Sequence, residues 1–393
     1  MILTETNIDK VTKQIHRLNK PIETYNKEVL NFLEDLQKQL MLENKEKLPG
    51  ISALSFWLRK HNIDRSENLN LPNKLRIGLG IALHITPSNM PLSYFYSYVF
   101  GLLSGNVNVV KIPKKNFIEN NKLMLIFNKL INKKKYKIIK EKTFFFKFNH
   151  EKKIMSELSK ICNLRIIWGG DKTITRIREY EIQSHTRELT FGDKYSCCII
   201  DSDQLAKLRK LDFLKLCNAF FSDGYLVDQN ACSSPHLVLW IGKNQNIKKK
   251  FWIEINNIAK LKYDLPEIGS IEKHLKLYSD IIDQNINNFL VLSHLYAVNI
   301  KKINNEVISF RGKWGYFYQY NLKNLHSISK IVNKKFQTIT CMGVKKDDVV
   351  NVIKNNNLLG VDRVTKIGNA HTMNFYWDGY DLISNMSRII NYE

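Results

Sequence analysis

The segment RIGLGIALHITPSNMPLSYFYSYVFGLLSGNVNVVKI, residues 76–112, contains the pattern that decides the fold. It begins with an apolar run, passes through a turn with two prolines into a helical stretch, and ends after a Ser-Gly-Asn turn in a second apolar run. Short apolar runs rich in Ile and Val are typical of strands buried on both faces. A strand, a helix and a second strand in this order predict a right-handed β-α-β unit with parallel strands.

The same alternation continues to about residue 201. Further apolar runs are TFFFKF, LRIIWG and YSCCIID, and helical segments such as NHEKKIMSELSKIC lie between them. We therefore predict a parallel, doubly wound sheet, whose ligands bind at the carboxyl ends of the strands. The helical DQLAKLRKLDFLKLCNAFF and the strand HLVLWIG then begin a second alternation. This second alternation predicts a second α/β domain.

The first 70 residues are predicted to be helical, because segments such as NKEVLNFLEDLQKQL repeat apolar residues at three and four positions. The predicted organisation has four parts. They are a helical N-terminal segment (1–70), a first α/β domain (71–201), a second α/β domain (202–360) and a C-terminal segment (361–393).

The charge of the chain is strongly positive, with 60 Lys and Arg residues and a formal net charge of +23. Clustered basic residues are typical of proteins that bind phosphates of nucleic acids. In this chain only 12 of the 60 are Arg, and the lysines are scattered among Asn and Ile. No recognised nucleic-acid-binding motif accompanies the charge, so we predict no nucleic-acid partner.

The location is predicted from the absence of targeting patterns. The first residues, MILTETNIDKVTKQ, have neither a basic region followed by an apolar core nor an amphipathic Arg-rich face. The most apolar window, PLSYFYSYVFGLLSGNVNVV, is interrupted by Pro91, Gly101 and Gly105 before the roughly 20 residues that a membrane span needs. The sequence therefore predicts a cytoplasmic protein without a membrane span.

Cys232 differs from the other five cysteines in its surroundings. The six form no C-x-x-C pair and no His/Cys cluster at zinc spacing, so we predict neither a disulfide framework nor a structural metal. In VDQNACSSPH, Cys232 lies among polar and small residues just before Ser-Ser-Pro. An exposed loop of this kind suits a nucleophilic thiol. The alternative is a buried structural cysteine, as in the strand YSCCIID.

Asn89 follows the strand RIGLGIALHI and precedes a helix whose first turn is predicted to contain Pro91. A side-chain amide on a rigid loop at the carboxyl end of a strand can donate to a developing oxyanion. The alternative is that Asn89 caps the following helix.

Two further groups follow predicted strands. Lys111 lies at the end of the strand VNVVKI, and Lys114 comes three residues later. Positive charges at the carboxyl end of a strand suit the phosphates of a nucleotide. Gly169 and Gly170 lie between the strand LRIIWG and a helix, where backbone N–H groups can hold a pyrophosphate. The alternatives are a solvated edge for the lysines and an ordinary turn for the glycines, since no G-x-G-x-x-G motif is present.

Taken together, several segments resemble the acyl-CoA reductase family typified by LuxC, an outlying branch of the aldehyde dehydrogenase superfamily. The resemblance covers about residue 75 to the C-terminus and is most specific at the cysteine loop and at WDGYDLI. It implies an aldehyde-dehydrogenase-like fold, with a Rossmann-type nicotinamide-cofactor-binding domain (71–201), a catalytic domain (202–360) and a C-terminal segment that returns to the domain interface. The segments are HITPSNMPL, SGNVNVVKIP, WGGDKTITRIR, FGDKYSCCIID, DQNACSSPH and GVDRVTKIGNAHTMNFYWDGYDLI.

The resemblance also implies roles for individual residues. Cys232 aligns with the nucleophile of the superfamily and Asn89 with its oxyanion asparagine, with the backbone N–H of Cys232 as the partner donor. Lys111 aligns with the lysine that contacts the adenosine ribose. Gly169 and Gly170 fall near the turn that binds the pyrophosphate.

The implied activity is NADPH-dependent reduction of a fatty acyl-CoA, or of an acyl-enzyme thioester, to the aldehyde through a thioester on Cys232. NADPH is expected because Lys114 occupies a position that is commonly acidic in members that prefer NAD. The chain departs from the superfamily at Thr190, where the wider superfamily has its water-activating Glu. A second departure, DQNAC in place of Gly-Gln-x-Cys, leaves the placement of Gln229 open, and His236 is assigned no role.

Two alternatives to this activity stay open. One is a short-chain CoA-acylating aldehyde dehydrogenase that uses NADH, and the other is a non-catalytic scaffold or nucleic-acid-binding protein. The expected partners are an acyl-CoA or acyl-protein donor, an acyl-protein synthetase or acyltransferase, and further copies of the chain in a homo-oligomer.

Overall fold

The computed structural model describes residues 3–68, 75–87, 90–148 and 151–392. The chain forms two compact units. The first unit consists of Met1–Gly192 and Met373–Glu393, and the second of Asp193–Thr372. Among the described helices, none combines the length and the apolar character that crossing a bilayer requires.

The first unit is built on a five-stranded sheet in which every neighbouring pair is parallel. The strand order is β4-β3-β2-β5-β6, so the chain starts at the centre, proceeds to one edge and then returns to add strands on the other side. This reversal creates a topological switch point between β2 and β5, where sheets of this type bind ligands. The strands are β2 (Ile81–Ile85), β3 (Val107–Lys111), β4 (Thr143–Phe146), β5 (Leu164–Trp168) and β6 (Arg187–Phe191).

Helices cover both faces of this sheet, which explains why its central strands are continuous apolar runs. Ala82 packs in the cluster formed with α2, α3, α5 and α6, whereas Leu83, the next residue, packs in the cluster formed with α1, α8 and α9. The N-terminal helices are therefore part of the first unit's cores. The helices are α1 (Ile8–Arg17), α2 (Lys27–Glu43), α3 (Pro49–Trp57), α4 (Lys60–Asn68), α5 (Ser93–Leu103), α6 (Ile118–Ile131), α7 (Lys137–Glu141), α8 (Lys152–Ile161) and α9 (Asp171–Arg178).

A buried hydrogen-bonded chain ties α5 to three strands of the sheet. The ring of His84 on β2 bonds to Ser97 Oγ at 2.7 Å and to Asn108 Oδ1 at 3.0 Å, and Trp168 Nε1 donates to Ser97 Oγ at 3.0 Å. Burial lowers the pKa of His84 to about 4, so the imidazole is neutral near pH 7. A Cβ atom at Gly101 of α5 would overlap Asn108 Oδ1, which explains the glycine in this buried helix.

The second unit contains a seven-stranded sheet in the order β13-β12-β7-β8-β11-β10-β9. All neighbouring strands are parallel except β9, which joins the edge in the antiparallel direction. The strands are β7 (Tyr195–Asp201), β8 (Pro235–Ile241), β9 (Phe289–Val291), β10 (Tyr296–Asn299), β11 (Tyr316–Asn321), β12 (Phe336–Met342) and β13 (Arg363–Lys366). The helices are α10 (Ser202–Ala206), α11 (Lys210–Tyr225), α12 (Gln245–Lys262), α13 (Glu267–Asp283) and α14 (Lys346–Asn355).

The structure corrects the predicted boundary near Asp201. Strand β7, which contains YSCCIID, pairs with β8 and β12 in the second sheet, and the two units divide between Gly192 and Asp193. The reason is that a buried strand shows in the sequence only as an apolar run, and the run does not say which sheet it joins.

The C-terminal segment is also divided differently from the prediction. Residues 361–372 remain in the second unit, whereas 373–393 belong to the first. There β1 (Leu75–Gly78) pairs antiparallel with β16 (Ser387–Ile390), a contact across more than 300 residues that local sequence cannot indicate. The remaining elements are β14 (Tyr376–Trp377), β15 (Tyr380–Asp381) and α15 (Leu382–Asn385).

Two predicted element boundaries are wrong in detail. The run RIGLGIALHI forms two strands, β1 and β2, because Gly80 between them has a φ of +126° that takes the chain out of the extended conformation. Helix α5 begins at Ser93, after Leu92 in the left-handed region, so Pro91 precedes the helix instead of occupying its first turn.

Candidate active site

The predicted nucleophile loop, residues 226–234, joins α11 to β8. Asp228 and Gln229 both have positive φ, at 54° and 63°, and turn the chain sharply after the helix. The Gln229 side chain is fully buried, and its Nε2 donates to the carbonyls of Pro235 at 3.1 Å and Tyr316 at 3.0 Å. Gln229 therefore fastens the loop to the start of β8 and of β11, a structural task that the sequence left open.

Cys232 is half-buried, whereas the other five cysteines, all in the described part of the chain, are buried. Burial raises the pKa of the Cys162, Cys217 and Cys341 thiols to about 12, and raises those of Cys197 and Cys198 further, so these thiols stay protonated and unreactive. The carbonyl of Cys232 accepts a hydrogen bond from Ser196 Oγ at 2.7 Å, which fixes the loop against β7. Cys232 is thus the most accessible of the six cysteines, and its role as nucleophile stays a prediction.

His236 lies at the start of β8 and is buried against the ring of Tyr195, with the ring centroids 5.5 Å apart. Burial, with the nearby Arg311 guanidinium, lowers the pKa of His236 to about 3. The imidazole is therefore neutral and packed in the protein interior, in agreement with its being assigned no role.

In the first unit, Lys111 at the carboxyl end of β3 lies close enough to two other positive side chains for their charges to act on it. Lys111 ends β3, Lys114 follows it, and Arg176 lies on α9. Burial, followed by the charges of Lys114 and Arg176, lowers the pKa of Lys111 to about 8. Burial is the main cause of this lowered value, and the two neighbouring charges add to it. Positive side chains at this end of a strand suit an anionic ligand. Arg176 was not predicted from the sequence, where its only signal is its place on the helix after the glycine pair.

The glycine pair connects β5 to α9. Gly170 is the N-cap residue of α9, at φ −62° and ψ 159°, and Gly169 donates its N–H to the carbonyl of Phe191 on β6 at 3.1 Å. Because that N–H is already bonded, a pyrophosphate at this turn would have to use Gly170 and the first turn of α9. The Gly169 N–H therefore does not fit its predicted part in holding a pyrophosphate.

The residues of this chain match an established protein family. The family model described as Acyl-CoA reductase (LuxC) matches residues 4–287. The chain belongs to the LuxC acyl-CoA reductase family. A long-chain acyl-protein thioester reductase of Aliivibrio fischeri is 24% identical to it over 211 residues. That alignment covers 53% of this LuxC-family chain and 38% of the relative, less than half of the relative's length.

Solved structures show the fold of this LuxC-family chain. It is similar to glyceraldehyde-3-phosphate dehydrogenase GapN of Methanocaldococcus jannaschii complexed with NADP, with 14% identity, 99% of this chain and 94% of that chain covered, and a TM-score of 0.64. The NADP-dependent enzyme of Bacillus halodurans, also complexed with NADP, has 12% identity, coverage of 99% and 91%, and a TM-score of 0.65. A salicylaldehyde dehydrogenase of Pseudomonas putida has 12% identity, coverage of 99% and 90%, and a TM-score of 0.63. The predicted aldehyde-dehydrogenase-like fold is confirmed.

Asn89 and Thr190 are two further positions at which this chain is compared with the superfamily. Asn89 lies outside the described residues, two positions after Pro87 in the chain. Thr190 lies on β6, in the register position opposite Ile167 of β5. A threonine hydroxyl does not act as a general base near pH 7, so the residue at this position cannot activate water as a carboxylate would.

Proposed function

We propose that this LuxC-family chain reduces a fatty acyl-CoA, or a fatty acyl-protein thioester, to the aldehyde with NADPH. The observation that carries the proposal is the half-buried Cys232 on a loop held from both sides, in a chain whose other cysteines are all buried. A scaffold protein would need no such thiol. The substrate and the cofactor are supported by the family and by the charges near Lys111.

The proposed reaction begins at Cys232. Its thiolate attacks the acyl carbonyl, forms a new C–S bond and expels the donor thiol, which takes up a proton. The Asn89 amide and the Cys232 backbone N–H hold the oxyanion of each tetrahedral intermediate. Bound reduced nicotinamide supplies a hydride to the enzyme thioester. Hydride addition at the carbonyl carbon leaves a tetrahedral oxyanion. Its collapse re-forms the C=O bond, breaks the C–S bond, returns the Cys232 thiolate and releases the aldehyde, with no further proton transfer.

Thr190 supports reduction over hydrolysis. An enzyme thioester is hydrolysed when a general base activates water beside it. The superfamily's carboxylate base is replaced here by an uncharged hydroxyl. The acyl-enzyme should therefore survive long enough to be reduced, which suits a thioester reductase better than an enzyme that oxidises aldehydes to acids.

The residues at the first unit's sheet edge fit a dinucleotide cofactor. Lys111, Lys114 and Arg176 provide the positive charge that phosphates require, and Gly170 begins a helix beside the switch point between β2 and β5. We assign the adenosine ribose to Lys111 and the 2′-phosphate to Lys114, with the pyrophosphate at the Gly169–Gly170 turn. Two of the similar solved structures are complexed with NADP, which supports the same class of cofactor.

Lys114→Glu should reverse the cofactor preference. A lysine attracts the 2′-phosphate of NADPH, whereas a carboxylate repels it and accepts hydrogen bonds from the ribose hydroxyls of NADH. We expect the native protein to have the higher kcat/KM with NADPH, and the variant to have a ratio shifted towards NADH. Lys133→Glu, which changes the net charge equally at an exposed helix end, is the control. A native preference for NADH, or an unchanged ratio in Lys114→Glu, would show that Lys114 does not recognise the phosphate.

NADPH affinity should depend on the ionisation of Lys111. Its pKa is lowered to about 8, so the side chain is charged below that pH and loses its charge as the pH rises through it. The Kd for NADPH, measured by direct fluorescence titration, should be constant at neutral pH and rise above pH 8. In Lys111→Arg the guanidinium stays charged throughout, so the rise should disappear. A native Kd that does not change across this range would refute the assignment.

The activity itself is tested by incubation with acyl-CoAs of graded chain length and NADPH, followed by detection of aldehyde. Aldehyde from long chains supports the proposal. Activity confined to short chains with NADH would favour a CoA-acylating aldehyde dehydrogenase. If no acyl-CoA or acyl-protein donor yields aldehyde or labels the protein, the non-catalytic alternative is favoured.

A homo-oligomer, an acyl-protein synthetase or acyltransferase partner, and the cytoplasmic location are further proposals. An apolar stripe on α13 supports the homo-oligomer, because a continuous row of exposed apolar side chains is typical of a contact surface. Its side chains are spaced alternately by three and four residues and are 54% to 77% exposed: Ile268, Ile271, Leu275, Tyr278 and Ile282. The mass of the native protein in solution, compared with that of Leu275→Glu, tests whether a second copy covers this stripe.

A further inference from the structure

Ser233, the residue after Cys232, is hydrogen-bonded to His371, which lies close to the C-terminal end of the second unit in the sequence. Ser233 Oγ lies 3.0 Å from Nδ1 of His371, and Nε2 of the same ring lies 2.9 Å from the backbone carbonyl of Asp223. Ser233 is buried, with 5% of its surface exposed. The last turn of α11, the nucleophile loop and the segment after β13 therefore meet at one imidazole.

The partners of His371 determine its proton arrangement. A carbonyl oxygen can only accept, so Nε2 must carry the hydrogen that Asp223 receives. Burial lowers the pKa of His371 to about 4, so the ring is neutral near pH 7 and Nδ1 is an acceptor. Ser233 must then donate its hydroxyl hydrogen to His371. The direction of both hydrogen bonds is thus fixed by chemistry.

The segment that carries His371 is itself held tightly. The buried carboxylate of Asp223 accepts the N–H groups of Gly368 at 2.7 Å and Ala370 at 2.9 Å. The guanidinium of Arg363 donates to the carbonyl of Ala370 at 2.9 Å. Gly368 has a φ of +92°, and a side chain there would meet Ala219 of α11 at 2.8 Å. The turn is therefore built to lie against α11, and it presents His371 to the nucleophile loop.

We propose that His371 is a positioning residue for Cys232 and acts through Ser233. The peptide between Cys232 and Ser233 is then held from two directions, because Ser196 bonds its carbonyl and His371 bonds the Ser233 side chain. These bonds fix the backbone that carries both the thiol and the N–H assigned to the oxyanion. This proposal rests on the proposed function for its catalytic consequence, but the restraint on the loop does not depend on the identity of the substrate.

The test removes the Ser233 hydroxyl and measures Cys232 directly. Ser233→Ala should lower kcat by roughly tenfold to a hundredfold, because small displacements of a reacting group have effects of this size. The Kd for NADPH should stay at the native value. The rate of Cys232 alkylation by iodoacetamide, followed by peptide mass spectrometry across the pH range in which the thiol titrates, should also change. A residue that serves only folding would lower the melting temperature without altering the alkylation profile of the folded protein.

Two variants of nearly equal shape separate the effect of the Ser233 hydroxyl from the effect of a changed side-chain shape. Ser233→Thr retains the hydroxyl and should restore kcat and alkylation towards native values, whereas Ser233→Val has nearly the same shape without it and should not. This pair decides the matter if Ser233→Ala does not fold. Equal kcat and equal alkylation profiles in the Thr and Val variants would overturn the proposal. One result would separate the two proposals: the native protein makes no aldehyde, and the Cys232 alkylation profile of Ser233→Val differs from the native profile. The proposed function would then be wrong, and the positioning role of His371 would stand.

Discussion

Cys232→Ala should abolish both aldehyde production and covalent labelling by a radioactive acyl donor. The thiolate of Cys232 is the atom proposed to form the enzyme thioester, and alanine offers no nucleophile at this position. The measurements are aldehyde formation with NADPH and retention of the label after denaturation. The other five thiols are buried and have raised pKa values, so none of them should replace Cys232.

The control for this experiment is Cys198→Ala, which removes the second candidate thiol. Cys198 is buried on β7 in a core cluster, so its replacement should lower stability while labelling at Cys232 persists. Full labelling of Cys232→Ala would assign the nucleophile to another cysteine. Cys232→Ser is a finer probe: it should acylate slowly and then fail to turn over, because an oxygen ester accepts hydride poorly.

Asn89→Ala should lower kcat by roughly 100- to 1000-fold, because it removes one of the two donors assigned to the oxyanion. An interaction made mainly in the transition state lowers kcat and kcat/KM together, and leaves the affinity for cofactor unchanged. The measurements are both kinetic constants and the denaturant midpoint of unfolding. We expect the midpoint to stay close to the native value.

One outcome would contradict the role assigned to Asn89. If Asn89→Ala loses stability in proportion to its loss of activity, then Asn89 served the structure and the active-site assignment is wrong at this position. Asn116→Ala, another asparagine of the first unit whose Oδ1 accepts from Asn121 at 2.8 Å, is the control for the loss of an ordinary side-chain hydrogen bond. It should retain full activity.

Local sequence predicted the elements of the fold well where a single pattern dominated. The runs VNVVKI, TFFFKF and LRIIWG form β3, β4 and β5, and the segments PLSYFYSYVFGLLSG and NHEKKIMSELSKIC, both predicted to be helical, form α5 and α8. The loop position of Cys232 was also predicted from its neighbours, because polar residues followed by Ser-Ser-Pro favour a loop. In each case the information lies within about ten residues of the feature.

The bonds that complete the site were not predictable in this way. Ser196 reaches the Cys232 carbonyl from β7, and His371 reaches Ser233 from 138 positions along the chain. Arg176 comes to lie near Lys111 because β3 and β5 flank β2 in one sheet, although 65 positions separate the two residues in the sequence. No local pattern marks residues that meet only after the strands have assembled.

The sequence by itself determined that this protein contains two α/β domains and one thiol in a polar loop, because apolar periodicity and turn chemistry act between near neighbours. Tertiary structure alone decided that YSCCIID belongs to the second sheet, that 373–393 returns to the first unit, and that Cys232 is held by Ser196 and its neighbour Ser233 by His371. The physical reason is the same in each case. Strand partners and hydrogen-bond partners far apart in the chain are selected by the packing of whole sheets, and that selection leaves no signature in a short stretch of residues.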